Sequence, residues 1–148
     1  MRETVLITGA SRGIGYATAE LFAVNGYTVY ANYRSSPKSL ELLSEKLSER
    51  GCTLIPLYAD VSNSNDVEHM VSQTNGVDIL INNAGIAQFK QFVDMSETDW
   101  DNMMSVNLKS VYLCTHCVIP HMIKRKHGAI VNISSVWGVT GGSCEVHY

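Results

Sequence analysis

The chain has 148 residues, the size of a single domain, with 45% apolar and 17% charged residues and only 3 Pro and 11 Gly. That composition excludes a disordered tail, a collagen-like repeat and a mucin-like stalk, and the chain is long enough to bury a real core. A net charge of −3 argues against non-specific nucleic-acid binding, and no apolar run is long enough to span a membrane.

Met1-Arg2-Glu3 leads straight into an apolar run without a small-residue cleavage site, so no signal peptide is read. Cys52, Cys114, Cys117 and Cys144 are accordingly expected to be reduced thiols of a cytoplasmic protein. Short apolar runs then alternate with longer amphipathic segments, the pattern of an α/β fold with a parallel sheet covered by helices on both faces. Residues 4–8 (TVLIT) form the first strand. Residues 13–25 follow as a helix with Ala17, Leu21 and Phe22 on one face and Gly26 at its end. Residues 27–32 make the second strand. Ser36 is read as an N-cap with Pro37 in the first helical position, and Leu40, Leu43 and Leu47 line one face of a helix that stops at Gly51. Residues 53–58 are the third strand.

Ser62 or Ser64 caps the next helix, which carries Val67, Met70 and Val71, and residues 78–81 form the fourth strand. Ser96 and Asp99 open a short helix with a capping box. A longer helix over about 106–126 is apolar on nearly every side, through Leu108, Val111, Leu113, Val118, Ile119, Met122 and Ile123. Such a helix is buried on several faces or packs against another subunit, so a homo-oligomer is expected. Pro120 predicts a kink or a loosened turn, and Gly128 is placed at the helix end, after Lys124, Arg125 and Lys126. Residues 129–133 form the fifth strand, and beyond Ser134 a glycine-rich loop leads to Tyr148. The whole of 1–148 reads as one dinucleotide-binding domain.

The chemistry starts where the first strand meets the first helix. In Thr8-Gly9-Ala10-Ser11-Arg12-Gly13-Ile14-Gly15 three glycines let the backbone turn sharply and approach a ligand. The helix N-terminus behind them offers unpaired N–H groups and a positive dipole end to a pyrophosphate. Gly9, Ser11, Arg12, Gly13, Ile14 and Gly15 are therefore candidate cofactor contacts. The second strand ends Asn32-Tyr33-Arg34 without the carboxylate that bonds the ribose hydroxyls in an NAD site. Arg34 and Arg12 are placed instead to flank a 2′-phosphate, which predicts NADP(H) in preference to NAD(H).

TGASRGIG (8–15), Asp60-Val61, NNAG (82–85), Asn107 and the NISS…Tyr stretch (132–148) occur in the order and spacing of the short-chain dehydrogenase/reductase family, which the sequence resembles along its whole length. Within the family it most resembles the 3-oxoacyl-acyl-carrier-protein reductase group. The resemblance implies a Rossmann-like doubly wound parallel sheet, order 3-2-1-4-5, with the C-terminal part of the usual fold missing. It implies NADPH-dependent reduction of a 3-oxoacyl thioester to the 3-hydroxyacyl thioester, with a small-molecule or carrier-protein-bound carbonyl as partner. Asp60 is carried over as the acceptor for the adenine amino group, with Val61 against the ring, and Asn83, Ala84 and Gly85 as cofactor contacts at the carboxyl edge of the fourth strand. Asn107, Ser135 and Tyr148 match the catalytic constellation: the serine holds the carbonyl oxygen, the tyrosine gives it a proton and the asparagine holds a relay water. Ser135 is chosen over Ser134 on its spacing to the other two. The family lowers the tyrosine's pKa with a lysine four residues further on, and the chain ends before that position. The expectation is thus a polypeptide that does not itself turn over.

Two further clusters are weighed. Cys114, His116, Cys117 and His121 share a helix, but no second ligand pair accompanies them and no metal is expected. His147, next to Tyr148, is expected at the pocket rim or surface. Two other readings stay open: a reductase of another ketone, such as one on a modified protein side chain, chosen by the 137–148 loop, and a non-catalytic dinucleotide-binding product.

Overall fold

The structure is a computed structural model that describes residues 2–148. Its five strands, β1 (Thr4–Ile7), β2 (Thr28–Tyr33), β3 (Thr53–Tyr58), β4 (Ile79–Asn82) and β5 (Ala129–Asn132), form one parallel sheet in the order β3-β2-β1-β4-β5. Val5 of β1 sits between Val29 of β2 and Ile79 of β4. From β1 the chain winds outward through α1 (Gly13–Val24), β2 and α2 (Lys38–Ser48) to β3. It then returns through α3 (Ser64–Ser72) to the other side of β1. The winding therefore reverses between β1 and β4, and open α/β sheets bind ligands at that point, beyond the carboxyl ends of the strands.

Strand alternation divides the core in two. Val5, Ile7, Val29, Ala31 and Ile81 face α1 and α2, where Leu40, Leu43 and Leu47 are buried as their spacing predicted. Leu6, Tyr30 and Leu80 face α3 and α5 (Ser110–Arg125), where Val67, Met70, Cys114, Val118 and Met122 complete the second layer.

Several local expectations are corrected. The buried face of α1 is Gly15-Ala19-Ala23, not the Ala17-Leu21-Phe22 face. Leu21 is exposed, because the small residues let α1 lie close to the strands. Pro37 occupies the cap of α2 rather than its first helical position. Asn63, not Ser62 or Ser64, caps α3, its Oδ1 accepting from the N–H groups of Asn65 (2.9 Å) and Asp66 (3.3 Å). The Ser96–Asp99 capping box at α4 (Glu97–Met104) forms as expected.

The long helix is a composite. A widened π turn over Ser105–Lys109 joins α4 to α5, and α5 runs on through Pro120, so the irregularity lies upstream of the proline. Lys126 (φ +53°), not Gly128, takes the left-handed position that ends α5. Gly128 makes room for Met122, whose Cγ would lie 2.5 Å from a Cβ there. Burial on many sides does not occur among the described residues: Leu108, Tyr112 and Ile123 are more than half exposed. They belong to an apolar face beside β5, whose outer edge has no neighbouring strand among the described residues. A short helix, α6 (Trp137–Thr140), interrupts the loop that follows β5.

Candidate dinucleotide site

At the winding reversal lies an open cleft of about 860 Å³. Its floor is the glycine loop. Gly9 (φ +64°) takes a conformation that a side chain resists, and a Cβ there would lie 2.8 Å from Ala84 Cα. Gly15 is buried beneath the loop, where a Cβ would meet Asn83 Nδ2 at 2.5 Å and Gly9 O at 2.6 Å. Gly13 (φ +57°) has no neighbour within 4 Å and faces open space. Arg12 begins α1 without a side-chain cap, so the first-turn N–H groups have no side-chain acceptor and point to the cleft mouth.

The loop is held by residues from three strand ends. Asn32 is buried, accepts from Gly9 N–H (3.0 Å) and donates to Ala59 O (3.1 Å). Thr8 Oγ1 accepts from the N–H groups of Asn83 and Ala84, both at 3.0 Å. Asn83 Nδ2 donates to Thr8 O (2.9 Å) and Gly9 O (3.1 Å). The Asn83 side chain is thus spent on clamping the loop, although the residue lines the cleft as expected. Sequence reasoning passed over Asn32 and Thr8; a polar residue closing an otherwise apolar buried strand was the available signal.

Of the candidate cofactor contacts, Gly9, Ser11, Arg12, Gly13 and Ile14 line one side of the cleft. Arg34, Asp60 and Val61 line the second, and Asn83, Ala84 and Gly85 the third. Only Gly15 stands behind the surface. The second side also carries Ser36, read from the sequence only as a helix cap, and Lys38 and Ser39, which the sequence reading did not single out; Ser39 Oγ donates to Ser11 O (2.7 Å). Asp60 Oδ1 accepts from Ser62 N–H (2.9 Å) and Oγ–H (2.6 Å), and Arg34 Nη1 lies 3.9 Å from Asp60 Oδ2. Burial raises the Asp60 carboxyl, but the Ser62 bonds and the Arg34 charge outweigh it and hold it below its ordinary value. A half-exposed guanidinium beside an ionised carboxylate keeps free N–H donors for a further anion.

The three candidate catalytic side chains are not joined by hydrogen bonds among the described residues. Asn107 sits in the π turn, where its Oδ1 accepts from Ile86 N–H (2.8 Å) and its Nδ2 donates to Ile86 O (2.8 Å). Both arms therefore bond the backbone just beyond Gly85. Ser135 Oγ accepts from Trp137 N–H (3.3 Å), and Tyr148 is 43% exposed. His147 corrects the expectation of a rim or surface residue: it is 2% exposed, with Nε2 3.0 Å from Gln88 Oε1. Cys114 behaves as a small apolar core residue, its thiol pushed up to about 12 by burial and by the neighbouring Cys117.

The short chain dehydrogenase family model matches residues 3–148, across the glycine loop, the cleft and the segment that ends at Tyr148. The chain belongs to the short-chain dehydrogenase family. It is 37% identical over its full length to the 3-oxoacyl-[acyl-carrier-protein] reductase FabG of Staphylococcus epidermidis, covering 62% of that protein. It is 40% identical over 97% of its length to the Thermotoga maritima reductase of the same name, covering 59% of it. The chain thus spans less than two thirds of the length of these curated relatives. Among solved structures, a metagenomic short-chain oxidoreductase in complex with NADP is 30% identical and superposes with a TM-score of 0.91, over 99% of this chain and 68% of that one. The five-stranded order expected for a short-chain dehydrogenase is the one observed here.

Proposed function

We propose that the cleft binds NADP(H) in preference to NAD(H), and that the chain serves the reduction of a carbonyl, with a 3-oxoacyl thioester as substrate. The observation that carries the reading is the cleft itself. A backbone cradle with no room for a side chain at Gly9 or Gly15 lies against the open N-terminus of α1, with Arg12 and Arg34 on its walls. The glycine loop and the α1 N–H groups would hold the pyrophosphate, the arginines a 2′-phosphate and Asp60 the adenine amino group. When bound, the nicotinamide supplies hydride to the carbonyl carbon. Ser135 would hold the carbonyl oxygen and Tyr148 would give it a proton. Asn107, with both arms on Ile86, serves best as a brace for the cleft wall after Gly85. The names of the curated relatives and of the NADP-bound structure support this reading.

A second reading is binding without turnover. It is favoured by the exposure of Tyr148 (43%) and by Asn107 having both arms on Ile86, since general acid catalysis needs a positioned donor. Titration with NADP⁺ and NAD⁺, alongside a stopped assay of NADPH consumption with a 3-oxoacyl thioester, separates these outcomes. Tighter NADP⁺ binding that weakens with salt is expected, because the exposed arginines are screened. Equal affinities at low salt would remove the cofactor argument, and binding without NADPH consumption would select the second reading.

A further inference from the structure

We propose that His147 is a positioning residue, whose side chain locks the segment carrying Tyr148 onto Gln88 through a hydrogen bond with a fixed tautomer. The consequence for proton delivery rests on the carbonyl-reductase reading above; the lock itself rests on geometry. His147 is buried although its neighbours Val146 and Tyr148 are 57% and 43% exposed, so its ring is the inward-facing point of the 144–148 segment.

The hydrogen positions follow from the far end of the network. Asp99 Oδ2 accepts from Lys90 Nζ (2.7 Å) and from Ser96 N–H (2.8 Å) and Oγ–H (2.5 Å), and its Oδ1 accepts from Gln88 Nε2 (2.8 Å). The Lys90, Ser96 and Gln88 bonds keep the Asp99 carboxyl far below its usual range, hence ionised. An ionised carboxylate only accepts, so Gln88 turns its NH₂ to Asp99 and its carbonyl to His147. That carbonyl also only accepts. Nε2 of His147 therefore carries a hydrogen, and Nδ1 is buried without a partner.

A second tie runs alongside, Lys90 N–H donating to Cys144 O (2.8 Å). Within the held segment Tyr148 N–H donates to Glu145 O (3.0 Å). Gln88 and Lys90 both end on Asp99 at the start of α4, and α4 runs into the π turn whose Asn107 bonds Ile86. One rigid body thus references both Tyr148 and Asn107, which is what pre-organising a proton donor requires.

Nitrogen-15 NMR of the histidines, with amide hydrogen exchange on the same chain, tests this without turnover. His147 should show the Nε2–H tautomer. His147→Leu should speed exchange of the 144–148 amides by about tenfold or more, and His147→Gln, which restores a donor near the Nε2 position, should stay within about threefold of the parent. Gln88→Leu leaves the histidine in place and should reproduce the loss, together with the loss of tautomer preference. NADP⁺ affinity should hold in all three, since neither side chain lines the cleft. An Nδ1–H tautomer in the parent, unchanged exchange in both leucine variants, or failure of His147→Gln to restore protection would each overturn the lock. If the carbonyl assay fails while these results stand, the proposed reaction falls and the lock does not.

Discussion

At the scale of single residues, two glycines of one loop have different duties. A methyl group at Gly15 would drive into Asn83 Nδ2 and Gly9 O, both parts of the clamp that shapes the cradle, whereas at Gly13 it would meet open space. Gly15→Ala is therefore expected to weaken NADPH binding at least tenfold, about 1.4 kcal/mol. Gly13→Ala should instead show a stability loss of about 1 kcal/mol, from its left-handed backbone alone. Fluorescence titration of NADPH, with urea melts of the same variants, checks both halves; equal losses of affinity would mean that the clamp does not shape the site. The glycine-loop side of the cleft was legible in the sequence because its residue types are dictated by backbone geometry. The roles of Asn83 and Asn107 were not: the sequence shows a carboxamide but not which backbone it will reach. His147 was misread because adjacency to Tyr148 says nothing about which side chain of the loop turns inward, and here His147 alone of 141–148 is buried.

At the scale of elements, Asp78 couples three of them at the start of β4. Its Oδ2 accepts from Thr4 N–H (2.9 Å) and Oγ–H (3.0 Å) at the start of β1, and its Oδ1 pairs with Arg125 at the end of α5. The carboxylate is buried, which by itself raises its pKa, but the Thr4 bonds and the charges of Arg125 and His121 outweigh that and leave the pKa below the ordinary value. A carboxyl depressed in the fold contributes stability that is present above its unfolded value, about pH 4, and lost as pH falls through the folded one. Asp78→Ala should thus cost about 3 kcal/mol at pH 7, and the gap between variant and parent should narrow toward pH 3. Urea melts across that range measure it; a gap independent of pH would assign the loss to packing. Element types and strand positions were legible from apolar periodicity, whereas the caps at Asn63, Pro37 and Lys126 were not. Ser, Asn and Pro near a helix start serve interchangeably, and the glycine expected to end α5 is required two residues later by Met122.

At the scale of the molecule, the sheet order follows from strands alternating with helices, and that much the sequence carries. What it hides is which helix faces stay uncovered: an apolar helix reads the same whether its second face meets protein or water. Here Met104, Leu108, Tyr112, Ile119 and Ile130 line a groove of about 1100 Å³, with Ile123 exposed further along α5. Apolar surface of that extent favours association. Light scattering is expected to show mass rising with protein and salt concentration, and Tyr112→Glu with Ile119→Glu should reverse it; a concentration-independent monomer would refute the expectation. The π turn bears on the same face through its phase. Counted every fourth residue, a stripe on an α-helix drifts about 40° per step around the axis, so Ser110, Cys114, Val118 and Met122 wind steadily across the sheet. The turn at Ser105–Lys109 needs one more residue to close and lets the stripe fall back once before that winding begins. The extra residue that brings Asn107 to Ile86 is thus also the one that sets the bearing of α5. Deleting a single residue there would swing Cys114 and Val118 off the sheet and turn a different set of apolar side chains to the solvent.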